Sequence, residues 1–447
     1  MNRMRGCWSA VLVGACAAAT PAADITVPGD FMTIQAAMDN AKEGDVIILT
    51  APLYRGEGNK DLVRNIERTY RIKSASGDPS LCTIDCEGSG RGFFFGTSEP
   101  PSFVVEGITI LSGSAATGAG MLFTNDSSPT ILNCVFAGNH ALATGGGVFC
   151  ANSDPLLLGC TFVNNTSNFD GGGMVVGAGA EPTLIGCSFN GNTASDRGGA
   201  VLAIGGGGSF INCVFTNNTA EGTLATGGGA VAAASGSVPY LANCSFAMNQ
   251  ALGADASGGA LTTGSASNVL LANCIMWSDI PDEIETDGGT ALASYSNIRG
   301  GWPGPGNLGD DLATHDPRYV DPAAGDLRLD AGSVSIDAGN NFALPTEIAF
   351  DVAGEERFRD DPGVPDTGLV DMRPPIDMGA YEFQGSSKST CLGDTDGDGL
   401  VGFTDLVSII ALWGPCPPGD CPQDVSGDGV IGFSDLLTIL SFWGPCV

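Results

Sequence analysis

Between residues 132 and 274 a short pattern returns at a nearly fixed interval. Cys134, Cys160, Cys187, Cys213, Cys244 and Cys274 are spaced by 26, 27, 26, 31 and 30 residues. Around them the chain reads Leu132-Asn133-Cys134-Val135-Phe136, Leu158-Gly159-Cys160-Thr161-Phe162 and Ile185-Gly186-Cys187-Ser188-Phe189. Apolar positions alternate, which is the period of a strand with one face turned inward. Three residues after each phenylalanine comes an asparagine: Asn139, Asn165, Asn192, Asn218 and Asn249. Each unit also carries a glycine cluster before apolar residues, as in Gly171-Gly172-Gly173-Met174 and Gly227-Gly228-Gly229-Ala230-Val231. No unit holds a ten-residue stretch with helical spacing. Units this short cannot bury a face alone, so they must stack into a solenoid. The fold class expected is mainly β: a parallel β-helix rising about 4.8 Å per coil.

Stacking predicts what each residue type does. The cysteines form an inward column of small hydrophobes. Disulfides along it are not expected, because equivalent Cα atoms keep one strand spacing and their side chains run parallel. The asparagines form a second column at a corner, bonding one another and the turn backbone. The glycines allow positive φ at another corner. Cys82, Cys86 and Cys150 have no pairing that spacing assigns.

Glycine is 67 of 447 residues without a triplet period, so collagen is excluded. Charge is one-sided, with 18 Lys+Arg against 50 Asp+Glu, net −32. That disfavours nucleic acid, which needs a basic surface, and an acidic membrane; calcium, or a neutral or cationic partner, suits the field better. Residues 101–280 hold 9 acids and one base, Arg197, whereas residues 281–390 hold 21 acids and 7 bases and residues 391–447 hold 8 acids and none. These shifts suggest segments: signal 1–23, cap and first coils 24–104, regular repeats 105–280, last coils and linker 281–390, and a tail 391–447.

The Phe-x-x-Asn motif followed by Gly-Gly-apolar resembles the repeats of chlamydial polymorphic outer-membrane proteins and related right-handed β-helix proteins. Residues 31–54 resemble the opening of pectate-lyase-like β-helix proteins: Thr33-Ile34-Gln35-Ala36-Ala37, then Gly44-Asp45, then Tyr54. Ile34, Ala37, Met38 and Ala41 have helical spacing and predict a short capping helix. Residues 319–384 resemble the closing part of other secreted β-helix proteins. The carrying pieces are Tyr319-Val320-Asp321-Pro322, Gly332-Ser333-Val334-Ser335-Ile336-Asp337-Ala338-Gly339 and Asp377-Met378-Gly379-Ala380-Tyr381-Glu382-Phe383. Glu355, Glu356, Asp360 and Asp361 read as solvated loop charges, with calcium coordination among them the other option.

The N-terminus has the layout of a secretory signal. Arg3 and Arg5 precede an apolar run from Trp8 to Ala15, then small residues 17–23. A lipoprotein reading, with lipid on Cys16, is the rival. No later segment reaches the ~18 apolar residues of a membrane span. The expected place is secreted, extracellular or at the cell surface.

The tail is a duplication thirty residues apart. Asp394-Thr395-Asp396-Gly397-Asp398-Gly399-Leu400 returns as Asp424-Val425-Ser426-Gly427-Asp428-Gly429-Val430. Calcium loops take oxygens from positions 1, 3, 5, 7 and 12, with glycine at 6. Loop one offers Asp394, Asp396, Asp398, the Leu400 carbonyl and Asp405. Loop two offers Asp424, Ser426, Asp428, the Val430 carbonyl and Asp435. Glycine at position 9 leaves that place to water. Each loop precedes an apolar helical segment, and none precedes the loop. The tail resembles dockerin modules, which join secreted proteins to cohesin receptors. That resemblance implies two bound Ca2+ and a cohesin-like or other surface receptor, read by positions 10 and 11: Phe403, Thr404, Phe433 and Ser434. Phenylalanine there departs from the family. With antiparallel helices, Cys391–Cys446 and Cys416–Cys421 are the favoured disulfides; Cys391–Cys416 with Cys421–Cys446 is the rival.

The functional expectation is a glycan-binding, adhesive or structural β-helix attached through its tail. The alternative is a polysaccharide lyase or glycosidase acting on acidic polysaccharide. That needs a carboxylate pair, or a base beside calcium-binding acids. In the regular coils Arg197 beside Asp196 is the lone base, and His140 and His315 stand apart. Arg55, Arg64, Arg68, Arg71 and Lys73 near the N-terminal coils are what a lyase would draw on. The balance leans away from an enzyme.

Overall fold

A computed structural model describes residues 22–447 except 66, 223–226, 254–255, 386–392, 394, 396–399, 417–420, 422, 427–428 and 446–447. The signal segment up to residue 21, Cys16 included, lies outside the described residues.

The chain winds as a right-handed parallel β-helix, with a small helical module at the C-terminus. An eleven-stranded sheet runs from Asp24–Val27 to Thr290–Ser294, and a ten-stranded one from Leu53–Tyr54 to Asn297–Ile298. A nine-stranded sheet runs from Leu62–Val63 to Ile284–Thr286, and a six-stranded one from Ser114–Thr117 to Gln250–Ala251. Their ladders are parallel and in register from coil to coil, as Val135, Thr161, Ser188, Val214 and Ser245 show. Helix α1, Ile34–Asn40, covers the first coil with Ile34, Ala37 and Met38 buried, and Thr33 caps it by accepting from the Ala36 N–H.

The columns form as the repeat requires. Phe136, Phe162, Phe189, Phe215 and Phe246 stack with centroids 4.3–5.0 Å apart, each pair adding about 0.5–1.5 kcal/mol beyond burial. The six repeat cysteines are buried and free. Burial pushes the Cys134, Cys160 and Cys187 thiols well up from their ordinary value. The asparagines build a continuous ladder: Asn139 Nδ2 donates to Asn165 Oδ1, Asn165 to Asn192, Asn192 to Asn218 and Asn218 to Asn249, all at 2.9 Å.

The glycine pairs do two different jobs. Gly171 has φ 62°, as a corner needs. Gly172 has no such φ, but a Cβ there would lie 2.5 Å from the Gly199 carbonyl oxygen of the next coil. Close approach of coils, rather than a special φ, excludes a side chain at the second position.

The segment 281–390, expected to hold the last coils and a linker, adds coil strands at its start. The last coil strand ends at Ile298. Residues 319–384 instead return along the outside of earlier coils as a strap. Leu344 and Ile376 pack on Ile211 and Ala242, and Leu327 and Ala380 pack on Val214 and Ala247. The coil corners hold the strap by hydrogen bonds: Asn212 Nδ2 donates to the Phe350 carbonyl at 2.8 Å, and Asn273 Nδ2 to the Asn340 carbonyl at 3.0 Å. The reason is visible in these coils, which turn Ile211, Val214 and Ala242 outward where a solvated face would carry polar residues.

Candidate functional site

The nine-stranded sheet presents an apolar outer column. Its middle residues, Val63, Phe94, Leu122, Phe149, Val175 and Leu202, are paired in register across successive coils. Strand alternation places them outside, because flanking Phe93 and Phe95 belong to the core. Val175 and Leu202 are buried in a lateral cluster against Phe149 and Ile204. Nearer the N-terminus the column opens: Val63, Phe94 and Leu122 line a shallow concavity of about 390 Å³ with Asp61 and Arg91. The Arg91 guanidinium sits 6.0 Å from the Phe94 ring centroid, at the reach of a cation–π contact. Three outward apolar positions beside a fixed cation and an acid form a shelf suited to a flat ligand with one apolar face.

Of the bases that a lyase would draw on, the arginines are engaged in the coils, and Lys73 stands in register with Glu106 on the neighbouring strand. Arg55 pairs with Asp85 at 2.7 Å, Arg64 with buried Glu99 at 3.2 Å, and Arg71 with Glu106. Arg68 donates to the Ala41 carbonyl at 2.9 Å. Arg197 makes a two-point contact with Asp170 at 3.0 and 3.1 Å, and Asp196 lies 3.9 Å away. These bonds and charges raise the Arg197 pKa against burial, so it is a poor proton acceptor. His140 Nδ1 is 2.8 Å from Thr166 Oγ1 in the same stack of coils. His315 Nδ1 accepts from the Gly309 N–H at 3.2 Å.

Two buried acid groups escaped the sequence reading. Asp279 continues the asparagine ladder with a carboxylate, its Oδ1 accepting from the N–H and Nδ2 of Asn249 at 2.7 Å. Glu283 stands against it. Burial first, then the neighbouring Asp279 charge, pushes Glu283 up to about 10, and burial pushes Asp279 up to about 6. The second group lies in the strap. Arg357 is fully buried, 3.4 Å from Glu382, and donates to the Asp377 carbonyl at 2.9 Å. Asp377 accepts from the Asp337 and Phe383 N–H groups at 2.8 and 2.5 Å. Two acids face one arginine in a buried site, and burial pushes both upward: Asp377 to about 7 and Glu382 well above its ordinary value. The signal for this network was in the sequence, because Asp337, Asp377 and Glu382 sit within the closing motifs.

The tail is built on a local two-fold pattern. Helix α2 spans Phe403–Ala411 and helix α3 spans Phe433–Ser441. The strand after loop one, Leu400–Val401, pairs with Gly444–Pro445 after α3; Gly414–Pro415 after α2 pairs with Val430–Ile431. Each half thus closes on the other, around a core of Val401, Ile409, Ile431 and Ile439. Cys416 and Cys421 are joined in a disulfide. Cys391 and Cys446 lie outside the described residues, as do Asp394, Asp396, Asp398 and Asp428.

Of the expected ligands, Asp405 and Asp435 are fully buried at position 12 of their loops. Asp405 accepts from the Gly402 N–H at 2.8 Å and the Thr395 N–H at 2.6 Å. Asp435 accepts from Gly432 at 2.7 Å and Ser426 at 2.8 Å. Asp424 Oδ2 accepts from the Gly429 N–H at 2.7 Å, which bends loop two round its first residue. Ser426 Oγ is 3.4 Å from Asp424 Oδ1. Positions 1, 3 and 12 of loop two thus offer oxygen side chains linked through Ser426, whose Oγ meets Asp424 and whose N–H donates to Asp435, and oxygen donors are the chemistry calcium takes. The Leu400 and Val430 backbones stand in the paired strands described above. Phe403 and Phe433 project outward, 71% and 65% exposed; Thr404 and Ser434 follow them on the exposed side.

The fold and tail define a right-handed parallel β-helix with an appended duplicated module. The family described as "Right handed beta helix region" matches residues 69–208, and the "Chlamydia polymorphic membrane protein (Chlamydia_PMP) repeat" matches residues 212–234. Among solved structures, the crystal structure of pectate lyase Pel9A is similar at 14% identity and a TM-score of 0.44, over 80% of this chain and 96% of that one. No curated protein matches the chain. No helix among the described residues is long and apolar enough to cross a membrane.

Proposed function

We propose that the chain is a secreted or cell-surface binding scaffold, whose β-helix offers a glycan-binding face and whose calcium-loaded tail docks it to a cohesin-like receptor. The observation that carries the reading is the matched exposure of the tail helices. Phe403, Val407 and Ile410 on α2 are 71, 46 and 56% exposed, and Phe433, Leu437 and Leu440 on α3 are 65, 51 and 51% exposed. These positions follow the i, i+4, i+7 spacing of one helix stripe. An apolar stripe repeated on both halves of so small a module is a cost in water unless a partner covers it. The duplication supports two equivalent docking faces related by the local two-fold. The open shelf of Val63, Phe94 and Leu122 supports the glycan reading, because an aromatic face stacks on a sugar ring. The engagement of Arg55, Arg64, Arg71 and Arg197 with carboxylates favours binding over the lyase alternative.

The test is surface plasmon resonance of the full chain over a panel of cohesin modules, with calcium and then with EDTA. Binding in calcium, its loss in EDTA and at least tenfold weakening in the double variant Phe403→Ala/Phe433→Ala are expected. The double change is needed because either face alone can dock. Binding that ignores EDTA, or silence across the panel, overturns the docking reading.

A further inference from the structure

Outside the shelf and the tail, the strap brings three carboxylates together. One oxygen each of Asp337, Asp360 and Asp366 lies within 4.8 Å of the others. Asp360 and Asp366 are exposed, whereas Asp337 is 0% exposed. Acids crowd on many surfaces without consequence, so the buried member decides. Its Oδ2 accepts from the Asp361 N–H at 3.1 Å. Its Oδ1 is sealed from solvent and has no hydrogen-bond partner. A buried carboxylate oxygen without a donor is an unmet demand for positive charge. Among the described residues none of the three acids is in an ion pair; the strap arginines Arg328, Arg357 and Arg373 are taken by Asp326, Glu382 and Asp371, and Arg359 donates to Gln384.

We propose that Asp337, Asp360 and Asp366 form a calcium site that pins the 360–366 loop to the strap. The donors are all oxygen, which disfavours zinc and copper. Two of the three sit on an exposed loop with room for water on the open side. Calcium takes six to eight oxygens in flexible geometry, whereas magnesium demands a near-ideal octahedron. Three carboxylates balance a divalent ion with one charge left to solvent. The loop is already wrapped round the buried acid, since the Thr367 and Gly368 N–H groups both donate to the Asp337 carbonyl at 3.0 Å. The ion would give the Asp337 carboxylate the positive partner it lacks and offset the mutual repulsion of Asp360 and Asp366. With three protein carboxylates and an open side, affinity belongs to the weak extracellular class, about 10⁻⁴–10⁻³ M.

Hydrogen exchange on the full chain tests this, with and without about 5 mM calcium, a concentration above that range. The amides of Asp361, Thr367 and Gly368 should exchange at least tenfold more slowly with calcium. The double variant Asp360→Asn/Asp366→Asn, both at exposed positions, should lose that protection while amides of the tail still respond. No calcium effect on these amides in the native chain overturns the proposal. So does protection that survives unchanged in the variant. Equal protection by magnesium at the same concentration overturns the assignment to calcium. The tail's response is read in the same experiment, so failure here is distinct from failure of the docking reading.

Discussion

Replacing Asn192 with alanine tests the physics that holds the solenoid. Asn192 is fully buried, and its side chain makes four hydrogen bonds. Its Oδ1 accepts from the N–H and Nδ2 of Asn165 at 3.0 and 2.9 Å. Its Nδ2 donates to the Phe162 carbonyl and to Asn218 Oδ1, both at 2.9 Å. Two neighbours keep partial satisfaction in Asn192→Ala. Asn165 Nδ2 retains the Phe136 carbonyl, and Asn218 Oδ1 retains the residue 192 N–H. The Asn165 N–H loses its acceptor outright. An orphaned buried donor costs about 1–3 kcal/mol, and the vacated volume adds about 1 kcal/mol. The expected loss is about 3 kcal/mol, at the upper end for a single change. A solenoid opens locally, so the loss is read best as amide exchange in the coils around residue 165, beside a urea midpoint. Three kcal/mol is about a hundredfold in exchange. The control Asn125→Ala removes an exposed asparagine at φ 57°, whose Nδ2 bonds the Gly96 carbonyl at 3.1 Å, and should cost about 1 kcal/mol, mostly left-handed backbone strain. A cost at Asn192 no larger than at Asn125 would refute the claim that the ladder is structural.

The buried acids give pH signatures. Asp279 and Glu283 have raised pKa values in the fold, about 6 and about 10. The folded state then holds more protons than the unfolded one, so their contribution to stability is largest in acid and is lost as pH rises above about 4.5. Glu283→Gln, which mimics the protonated form, should gain on the parent between pH 5 and 9 in urea titrations; a constant difference across that range refutes the assignment. Arg357→Ala strands the buried acids Glu382 and Asp377. It should cost about 3–5 kcal/mol at neutral pH and expose the strap to proteolysis, with partial relief in acid as the carboxyls protonate; unchanged cleavage refutes it. The repeat thiols, Cys134 to Cys274, should resist iodoacetamide in the folded chain and react on unfolding, as buried thiols do; labelling in native buffer contradicts the inward column.

The regular coils were legible because every coil imposes the same environment on the same position. Cys134, Phe136 and Asn139 each announce their role by recurring. The outward column was harder to see. Phe94, Leu122 and Phe149 alternate with core residues that are also apolar, so period two is hidden in Phe93-Phe94-Phe95. The strap's course was hidden because its partners are far off in sequence: Asn273 meets the Asn340 carbonyl across 67 positions and Asn212 the Phe350 carbonyl across 138. Nothing in local pattern distinguishes a segment that adds a coil from one that covers a coil. Arg357 carries no periodic signal either, and its burial depends on Asp377 and Glu382, which a single motif supplies twenty or more positions further on. The tail shows the opposite case, where the thirty-residue duplication announced two helices at matching places, Phe403–Ala411 and Phe433–Ser441.

The most direct measurement is native mass spectrometry of the full chain with calcium, which counts ions held tightly by the tail. The account expects two retained in the parent, one in Asp424→Ala, and none after Asp405→Ala is added. A parent that retains no calcium, or an Asp424→Ala chain that still retains two ions, would contradict calcium-dependent attachment.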